Sequence, residues 1–471
     1  MATETSAQEG AYQARIPIHP RSVKGRFRNL KWGILILAYG VYFLLPWLRW
    51  DRTTGPSQAI QFDIPGRQFY LFDLTVFAQD IFWLAGLLII AAWLLFFVTG
   101  IAGRVFCGYF CFQTLWTDVY ILIERLVQGE RPKRLRLSKG PWNAEKVTKY
   151  GITHLLWLAV AFLTGLTFTM YWTDAPTLVQ QFFTGQAPYP AYFTTGFLTL
   201  TTYIMAGHAR EQVCTYMCPY ARFQSAMFNM DTLIVSYDPN RGEREKGRHK
   251  VAKGLKTPEE RREQGYGDCI DCGYCVQVCP VGIDIRNGLQ YQCISCALCI
   301  DACDNIMDQM GYPRGLVRYT SERELEGGKT HFLKPKNIGY AVAILVAAGV
   351  LIYSIVTRAP LEFFAAQVRQ PLSVTLSDGR VQNRYNLKVS NKTTEPIDYR
   401  IRVKGLEGAS MDLGGYETIT VEPERSSRVQ AKVRVEPDHL TGEQTSFRFV
   451  MDPVDDAYAP LEARATFHAP D

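Results

Sequence analysis

Eight cysteines lie in one short stretch near the middle of the chain, in two consecutive runs of identical spacing. Each run reads Cys-x2-Cys-x2-Cys-x3-Cys, and Pro280 follows the first run where Asp304 follows the second. The cysteines are Cys269, Cys272, Cys275 and Cys279, then Cys293, Cys296, Cys299 and Cys303. This is the ligand pattern of a two-cluster bacterial ferredoxin, in which the fourth cysteine of each run binds the other cluster. The spacing therefore predicts two 4Fe-4S clusters.

The crossed pattern assigns four ligands to each cluster. Cluster one takes Cys269, Cys272, Cys275 and Cys303, and cluster two takes Cys293, Cys296, Cys299 and Cys279. Disulfides are a weaker interpretation, because this segment is predicted below to be cytoplasmic, where thiols stay reduced. Two zinc ribbons would need paired Cys-x2-Cys elements with a longer spacer between them.

Long apolar runs alternate with basic loops, although the mean hydropathy of the 471-residue chain is only −0.07. Five runs have the length and the lack of formal charge that a bilayer-crossing helix needs. They are residues 30–48, 81–98, 150–171, 191–207 and 338–357. The positive residues behind the net charge of +6 crowd into loops beside these runs, which indicates membrane topology and no nucleic-acid partner.

Lysine and arginine mark the loop between spans two and three and the segment after span four, whereas the loop between spans three and four has none. Cytoplasmic loops carry this excess, so the N-terminus and the cysteine-rich insert are predicted to be cytoplasmic. We expect an uncleaved multi-pass protein of a bacterial inner membrane. Its predicted parts are a cytoplasmic tail (1–29), a four-helix membrane domain (30–207), the cytoplasmic cluster segment (208–335), a fifth helix (336–357) and a periplasmic domain (358–471).

Short segments of alternating apolar and polar residues follow one another after residue 372, separated by Gly, Pro, Asn and Asp. Regular strand and turn patterns of this kind predict a β-sandwich of immunoglobulin type. The last third of the chain contains no cysteine, so no disulfide joins its sheets. The predicted fold class is thus a polytopic α-helical membrane protein with about five transmembrane helices, a two-cluster ferredoxin-like cytoplasmic insert and a C-terminal immunoglobulin-like β-sandwich.

The four remaining cysteines form two Cys-x3-Cys pairs just past the predicted cytoplasmic ends of spans two and four. They are Cys107 and Cys111, and Cys214 and Cys218, which is followed by Pro219. Each pair is spaced i, i+4, so both thiols would share one face of a helix. The two segments align without a gap at Gly100, Ala102, Cys107, Tyr109 and Cys111, a weak internal repeat that would bring the pairs to one depth.

Several interpretations of these four thiols stay open at the level of the residues. Soft sulfur ligands favour Cu(I), zinc or iron–sulfur units, and the nearby thioether of Met217 also suits Cu(I). A second interpretation is that each pair alternates between dithiol and disulfide, with a strained and reducible bridge. The purely structural alternative is that the cysteines are small apolar residues packed between helices.

Five spans, two Cys-x3-Cys elements, a ferredoxin insert and a sandwich tail together resemble the CcoG family, also called FixG or RdxA. The resemblance runs from about Arg21 to the end of the chain. It implies an accessory protein for assembly of the cbb-type cytochrome c oxidase. This accessory protein would reduce Cu(II) to Cu(I). It assigns the eight cluster ligands named above, and it makes Cys107, Cys111, Cys214 and Cys218 the candidates for a copper-reducing site. The family often has proline after the pair, and here Phe112 follows Cys111.

The partners implied are the lipid bilayer, a copper ion, a cytoplasmic electron donor, and copper chaperones or cbb-type oxidase subunits, with a homodimer as one option for assembly. Two rival functions use the same residues. The membrane part is also similar to quinol-oxidising polyferredoxins, so the protein would be a quinol-linked electron conduit. The other rival is a non-catalytic assembly scaffold whose clusters only stabilise the insert.

Overall fold

The computed structural model describes residues 17–52, 55–393, 395–440, 442–455 and 457–469. The first sixteen residues of the predicted cytoplasmic tail lie outside this described part. The chain forms two compact units. The first contains the chain up to Trp47 together with Phe82–Gly349, and the second contains Leu48–Ile81 and the chain from Val350 onwards.

Fifteen α-helices and two π-helices make up most of the first unit within the described residues. The α-helices are α1 (Arg26–Leu44), α2 (Ile81–Ala102), α3 (Val105–Tyr109), α4 (Phe112–Gln128), α5 (Arg131–Lys139), α6 (Ala144–Met170), α7 (Ala175–Phe183), α8 (Tyr189–Thr202), α9 (Pro219–Ala226), α10 (Pro239–Gly242), α11 (Pro258–Glu263), α12 (Tyr274–Gln277), α13 (Leu298–Met310), α14 (Glu322–Leu325) and α15 (Pro335–Val356). The π-helices are π1 (Tyr203–Ala209) and π2 (Val213–Met217).

Fourteen strands in the described residues form four antiparallel sheets. The strands are β1 (Ile60–Asp63), β2 (Gln68–Leu71), β3 (Leu74–Phe77), β4 (Ile234–Tyr237), β5 (Val317–Thr320), β6 (Leu361–Gln367), β7 (Val374–Thr375), β8 (Val381–Asn391), β9 (Ile397–Lys404), β10 (Ser410–Asp412), β11 (Ile419–Val421), β12 (Ser426–Val435), β13 (Gln444–Pro453) and β14 (Leu461–His468). Strands β1–β3 form a meander between α1 and α2, and β4 pairs with β5 in the insert.

Five helices among the described residues are long and apolar enough to cross a membrane, which agrees in number with the sequence prediction. They are Arg26–Trp47, Ile81–Ala102, Val105–Gln128, Ala144–Met170 and Pro335–Val356. The set differs from the predicted one in two places. Val105–Gln128 falls where the sequence predicts a loop, and the predicted span 191–207 is absent from the set because its helix is divided between α8 and π1.

Contacts around the insert indicate which helices cross the bilayer. The backbone N–H of Arg21 donates to the carbonyl of Gln277 at 2.8 Å, so the segment before α1 and the insert lie on one side. An even number of crossings must therefore separate them. Helices α1, α2, α6 and the continuous α8–π1 satisfy this requirement, and a further crossing by Val105–Gln128 would break it. We infer that α4 stays on the side of the insert.

Buried ion pairs explain how α4 is held there. The Asp118 carboxylate lies 3.2 Å from Arg28 and 3.0 Å from Lys31, both at the start of α1. One turn and a half further along α4, Glu124 pairs with Arg134 at 2.9 Å and also with Arg210. Breaking such a pair leaves a buried charge without compensation, so these contacts fix α4 against α1, α5 and the end of π1.

The C-terminal strands form the predicted sandwich. One sheet has the order β10-β12-β8-β6 with β7 paired to β8, and the other has the order β11-β9-β13-β14. Alternate side chains point between the sheets, among them the fully buried Tyr385, Val433 and Phe449. Six segments of alternating residues predict strands, and they correspond to β7, β8, β9, β11, β12 and β13: residues 373–376, 385–389, 399–403, 418–421, 429–435 and 446–450. The alternation did not predict β6, β10 or β14. The missed strands include β6, which directly follows α15.

A buried carboxylate joins the α1–α2 connection to the sandwich within the second unit. Asp80 is 2% exposed, and its two oxygens lie 2.7 Å from Arg358 and 2.8 Å from Lys392. Lys392 also contacts Glu362 of β6 at 2.7 Å. Residues 48–81 and the C-terminal strands therefore share one side of the membrane, as the predicted topology requires.

Replacing Asp80 with asparagine should destabilise this unit by about 3–5 kcal/mol, because Arg358 and Lys392 would lose the buried carboxylate that they share and Glu362 would be the remaining partner of Lys392. The loss of stability is measured by hydrogen–deuterium exchange, as faster exchange of the β8 backbone amides. Asp438→Asn is the matched control, because Asp438 is exposed in the same unit. Equal exchange in both variants would contradict the assignment.

Candidate redox site

The first predicted set of cluster ligands comes together around one cavity of the insert. Its lining includes all four cysteines of the set, which are Cys269, Cys272, Cys275 and Cys303. Cys275 lies on α12 and Cys303 on α13, so the fourth thiol arrives from the other cysteine run. The Cys303 thiol interacts electrostatically with the other three. The cavity is otherwise mostly apolar, with Met307 and Val317 in its wall.

The second predicted set lines a neighbouring cavity. Its cysteines are Cys279, Cys293, Cys296 and Cys299. The Cys299 thiol interacts with the other three, and more weakly with Cys275 of the first set. Cys275 also lines this second cavity, so the two sets are adjacent. The fold thus brings the eight thiols together four and four, in the crossed grouping that the spacing predicts.

The two cysteine runs share an unusual backbone conformation. Asp271 and Ser295, each just before the second cysteine of a run, have φ of +47° and +51°. Gly273 and Ala297, each just after that cysteine, have φ of +64° and +60° and begin α12 and α13. Left-handed conformations cost an L-residue roughly 1–2 kcal/mol, so a strong local requirement must hold them. The conformation is required because three thiols from one short loop must face the same cavity.

Burial disfavours the thiolate form of these cysteines. It raises the pKa of Cys275 and Cys279 to about 12 and that of Cys293 to about 11. Metal binding deprotonates thiols and supplies the positive charge that an apolar cavity lacks. Among the described residues, no three His, Cys, Asp or Glu side chains are close enough to hold a single metal ion. Because each cysteine of a cubane binds a different iron, its four ligands are spread more widely, and the eight thiols fit two clusters.

The two sets differ in their access to solvent. Cys272 of the first set is exposed. The second set is covered by the segment before α1, where Val23 is buried against Cys296 and Val278. The Asp301 carboxylate of α13 accepts hydrogen bonds from the backbone N–H groups of Phe27 at 3.2 Å and Arg28 at 2.7 Å, which anchors this cover. The first set therefore faces the surface, and the second faces the membrane helices.

Each membrane pair spans a break between two helices, which differs from the single helix face expected from i, i+4 spacing. Cys107 lies in α3 and Cys214 in π2, whereas Cys111 and Cys218 have extended backbones (ψ of 125° and 108°) and begin α4 and α9. The N–H groups of Cys111 and Cys218 donate to the carbonyls five residues earlier, at 3.0 and 2.8 Å. These five-residue bonds close a wide turn in which the second cysteine leaves the helix.

The internal repeat extends to the backbone around the pairs. Gly103 and Arg210 occupy equivalent positions, and both have positive φ, +57° and +43°. Each ends a long helix and starts the short helix that carries the first cysteine of its pair. The repeat found in the sequence is therefore one structural unit used twice, even though its glycine is replaced by arginine in the second copy.

The fold also brings the two pairs together. The Cys214 thiol interacts electrostatically with Cys111, Cys107 and Cys218, in that order of strength, and with Arg104. The buried Cys107 thiol donates to Oε1 of Gln224 at 3.0 Å. Met217, the predicted additional ligand, has an exposed side chain next to Cys218. We call Cys107, Cys111, Cys214 and Cys218 the thiol tetrad.

Helix α3 joins the thiol tetrad to the second cluster set. Cys107 packs in one apolar cluster with Ile294 and Cys296. The Tyr109 hydroxyl donates to the carbonyl of Cys296 at 3.2 Å. A Cβ on Gly108 would lie 2.7 Å from the Ile294 carbonyl oxygen and 3.0 Å from Cα of Cys296, so only glycine permits this approach. Tetrad and second set are thus in direct packing contact.

Gly108→Ala should separate α3 from the second set, because the added methyl group meets backbone that cannot move aside without cost (about 1–3 kcal/mol). We expect the iron content to persist and electron transfer from the clusters to the tetrad region to slow at least tenfold, measured by stopped-flow reoxidation of the reduced protein. Gly151→Ala on α6 is the control, since its Cβ meets nothing within 4 Å. Unchanged rates in both variants would show that the contact is not used.

Sequence reasoning missed three residues of this junction: Arg104, Gly108 and Tyr109. Gly108 lies inside the Cys-x3-Cys element, so its identity was visible, but its packing partner lies almost 190 residues away. Tyr109 recurs in the repeat as Tyr216, which is 70% exposed and makes no equivalent buried contact. The two halves of the tetrad are therefore not equivalent, since the hydrogen bond from Tyr109 to Cys296 has no counterpart at the exposed Tyr216.

Comparisons with known proteins agree with this architecture. Residues 209–322 match the family described as a 4Fe-4S dicluster domain, and residues 351–470 match the family described as the IG-like fold at the C-terminus of FixG. The fold class predicted from the sequence is confirmed. A solved structure titled as a FixG-related protein from Vibrio parahaemolyticus is 29% identical, covering 23% of this chain and 96% of its own, with a TM-score of 0.21.

Three curated proteins are similar over almost the full length. Protein RdxB of Cereibacter sphaeroides is 42% identical over 91% of this chain and 90% of its own. Protein RdxA of the same organism is 40% identical over 98% and 99%. The nitrogen fixation protein FixG of Rhizobium meliloti is 37% identical over 94% and 90%.

Proposed function

The chain belongs to the FixG/RdxA family, and on this premise we propose that it is a membrane iron–sulfur oxidoreductase that reduces Cu(II) to Cu(I) for copper insertion into the cbb-type oxidase. An oxidoreductase role with 4Fe-4S clusters follows from the relatives and the dicluster domain. The observation that supports copper as the substrate is the thiol tetrad, four soft ligands gathered in packing contact with the second cluster set.

Different residues of the chain would bind the clusters, exclude water from them and leave them accessible to an electron donor. Cys269, Cys272, Cys275 and Cys303 would hold cluster one, and Cys293, Cys296, Cys299 and Cys279 would hold cluster two. When bound, the clusters supply one-electron redox chemistry. Val23 and the segment before α1 exclude water from the second set, and the exposed Cys272 leaves the first set accessible to a cytoplasmic electron donor.

Thiolate ligands suit the proposed substrate because they bind Cu(I) more tightly than Cu(II). A site of this kind stabilises the product of a one-electron reduction and so favours it. Each Cu(II) takes up one electron, which the donor supplies, and leaves as Cu(I). Met217, exposed beside Cys218, offers a thioether to the departing ion.

The proposed location is a bacterial inner membrane, with the N-terminus and insert in the cytoplasm and the sandwich in the periplasm. The support is the distribution of Lys and Arg, together with the contacts inside each unit. In this orientation the sandwich is available to copper chaperones or oxidase subunits, and the insert is available to the electron donor.

The direct test uses the full-length protein, purified anaerobically in nanodiscs and reduced before the addition of Cu(II). We expect Cu(I) to appear, trapped by a Cu(I)-specific chelator, faster than in empty nanodiscs with the same reductant. If a quinol reduces the clusters without copper and Cu(II) is not reduced, the protein is a quinol-linked conduit. Clusters that cannot be cycled at all indicate a scaffold.

A further inference from the structure

Arg104 lies between the thiol tetrad and the second cluster set. It is the N-cap residue of α3, one turn before Cys107, and its side chain is 2% exposed. Its Nη1 donates a hydrogen bond to the carbonyl of Tyr291, two residues before Cys293. The guanidinium therefore bridges α3 and the loop that carries the first ligand of the second set.

No carboxylate pairs with Arg104 in the part of the chain that the structure describes, and its Nε is buried without a hydrogen-bond partner. Several other buried arginines of the same unit have carboxylate partners, whereas Arg261 donates only to backbone carbonyls. Arg134 and Arg210 share Glu124, and Arg28 pairs with Asp118. A buried charge is strongly unfavourable unless an opposite charge compensates for it. Any counter-charge for Arg104 must therefore come from a group other than a carboxylate.

Arg104 has three thiols and the phenol of Tyr220 around it as groups that can become anionic. It interacts electrostatically with Cys107 and Cys214 of the tetrad and with Cys293 of the second set. Sulfur ligands of a 4Fe-4S cluster share its negative charge, which increases on reduction. A fixed cation beside them stabilises the reduced state, and charge and hydrogen bonding near the sulfurs are known to set cluster potentials.

We propose that Arg104 is a positioning residue that raises the reduction potential of the cluster held by the second set, and so directs electrons from the first set towards the thiol tetrad. The inference rests on the cluster assignment of the proposed function and does not depend on copper being the substrate. It gives the buried guanidinium a counter-charge and assigns a direction to electron transfer between the two adjacent cysteine sets.

Redox-titrated EPR of the purified holoprotein tests the proposal. Arg104→Gln removes the charge and should lower the midpoint potential of one cluster while the other keeps its value. The shifted cluster must be the one whose signal Cys279→Ser abolishes. Arg26→Gln is the control for general charge effects, because Arg26 is an exposed arginine at the start of α1, and it should shift neither potential.

Arg104→Lys keeps the charge and should preserve both potentials. Unchanged potentials in Arg104→Gln, equal shifts of both clusters, or a shift of the first-set cluster alone would overturn the proposal. If Arg104→Gln does not assemble its clusters, the lysine variant decides, since a fall in its potential contradicts a charge effect. A protein that fails to reduce Cu(II) but shows the selective shift would refute copper reduction and leave this inference standing.

Discussion

Cu(II) reduction falls to the rate of protein-free nanodiscs when Cys107, Cys111, Cys214 and Cys218 are all replaced by serine. The hydroxyl group is a hard ligand that does not favour Cu(I), so the variant loses the group of atoms that stabilises the product. The eight predicted cluster ligands are untouched, so iron content and cluster EPR signals should match those of the unaltered protein.

The two halves of the tetrad can be tested separately, because Tyr109 of α3 bonds to Cys296 of the second set whereas the equivalent Tyr216 is exposed. Cys107→Ser with Cys111→Ser should impair the reaction more than Cys214→Ser with Cys218→Ser. Substitution of the buried Cys107 changes only one atom, which limits damage to packing. Full activity in the fourfold variant, with its iron content intact, would refute the assignment of the tetrad.

Crossed ligation of the clusters predicts a non-additive loss of iron. Cys269→Ser/Cys303→Ser removes two ligands of the same set and should retain roughly four iron atoms per chain, the content of one cluster. Cys293→Ser/Cys303→Ser removes one ligand from each set and should retain almost none. Both double variants alter two cysteines of the insert, so each serves as the control for the other.

The structural reason is the placement of Cys303 on α13, beside the cavity lined by Cys269 and Cys272. Iron and acid-labile sulfide assays on anaerobically purified protein measure the difference. The reverse result, with iron retained only in Cys293→Ser/Cys303→Ser, would mean that each run binds its own cluster.

Spacing in the sequence was sufficient to predict the cluster sets, because the ligand pattern of a two-cluster ferredoxin is a property of local loops. The sandwich was predictable for a related reason, since alternation in segments such as 385–389 and 429–435 reports burial directly. Membrane spans were predictable from length and apolarity, but the π-helical end of the span at 191–207 was not. The π-helical hydrogen bonding of Tyr203–Ala209 has no simple sequence pattern, and π segments often occur at functional sites.

Helix α4 was missed because its charged residues look like those of a loop. Asp118 and Glu124 are buried only through partners on α1, α5 and π1, which no local pattern reveals. The junction at Gly108 depends likewise on Ile294 and Cys296, which are remote in the chain. Individual motifs could therefore be predicted from the sequence, whereas the contacts between them could be identified only in the structure.

The most direct test of the central claim is a single-turnover reaction. Fully reduced protein, free of excess reductant, is mixed anaerobically with Cu(II), and freeze-quench EPR follows the cluster and Cu(II) signals together. The account predicts that both signals are lost in step, with one Cu(I) formed for each electron that leaves the clusters, and that the fourfold serine variant keeps its clusters reduced. Clusters that stay reduced in the unaltered protein while Cu(II) persists would contradict it.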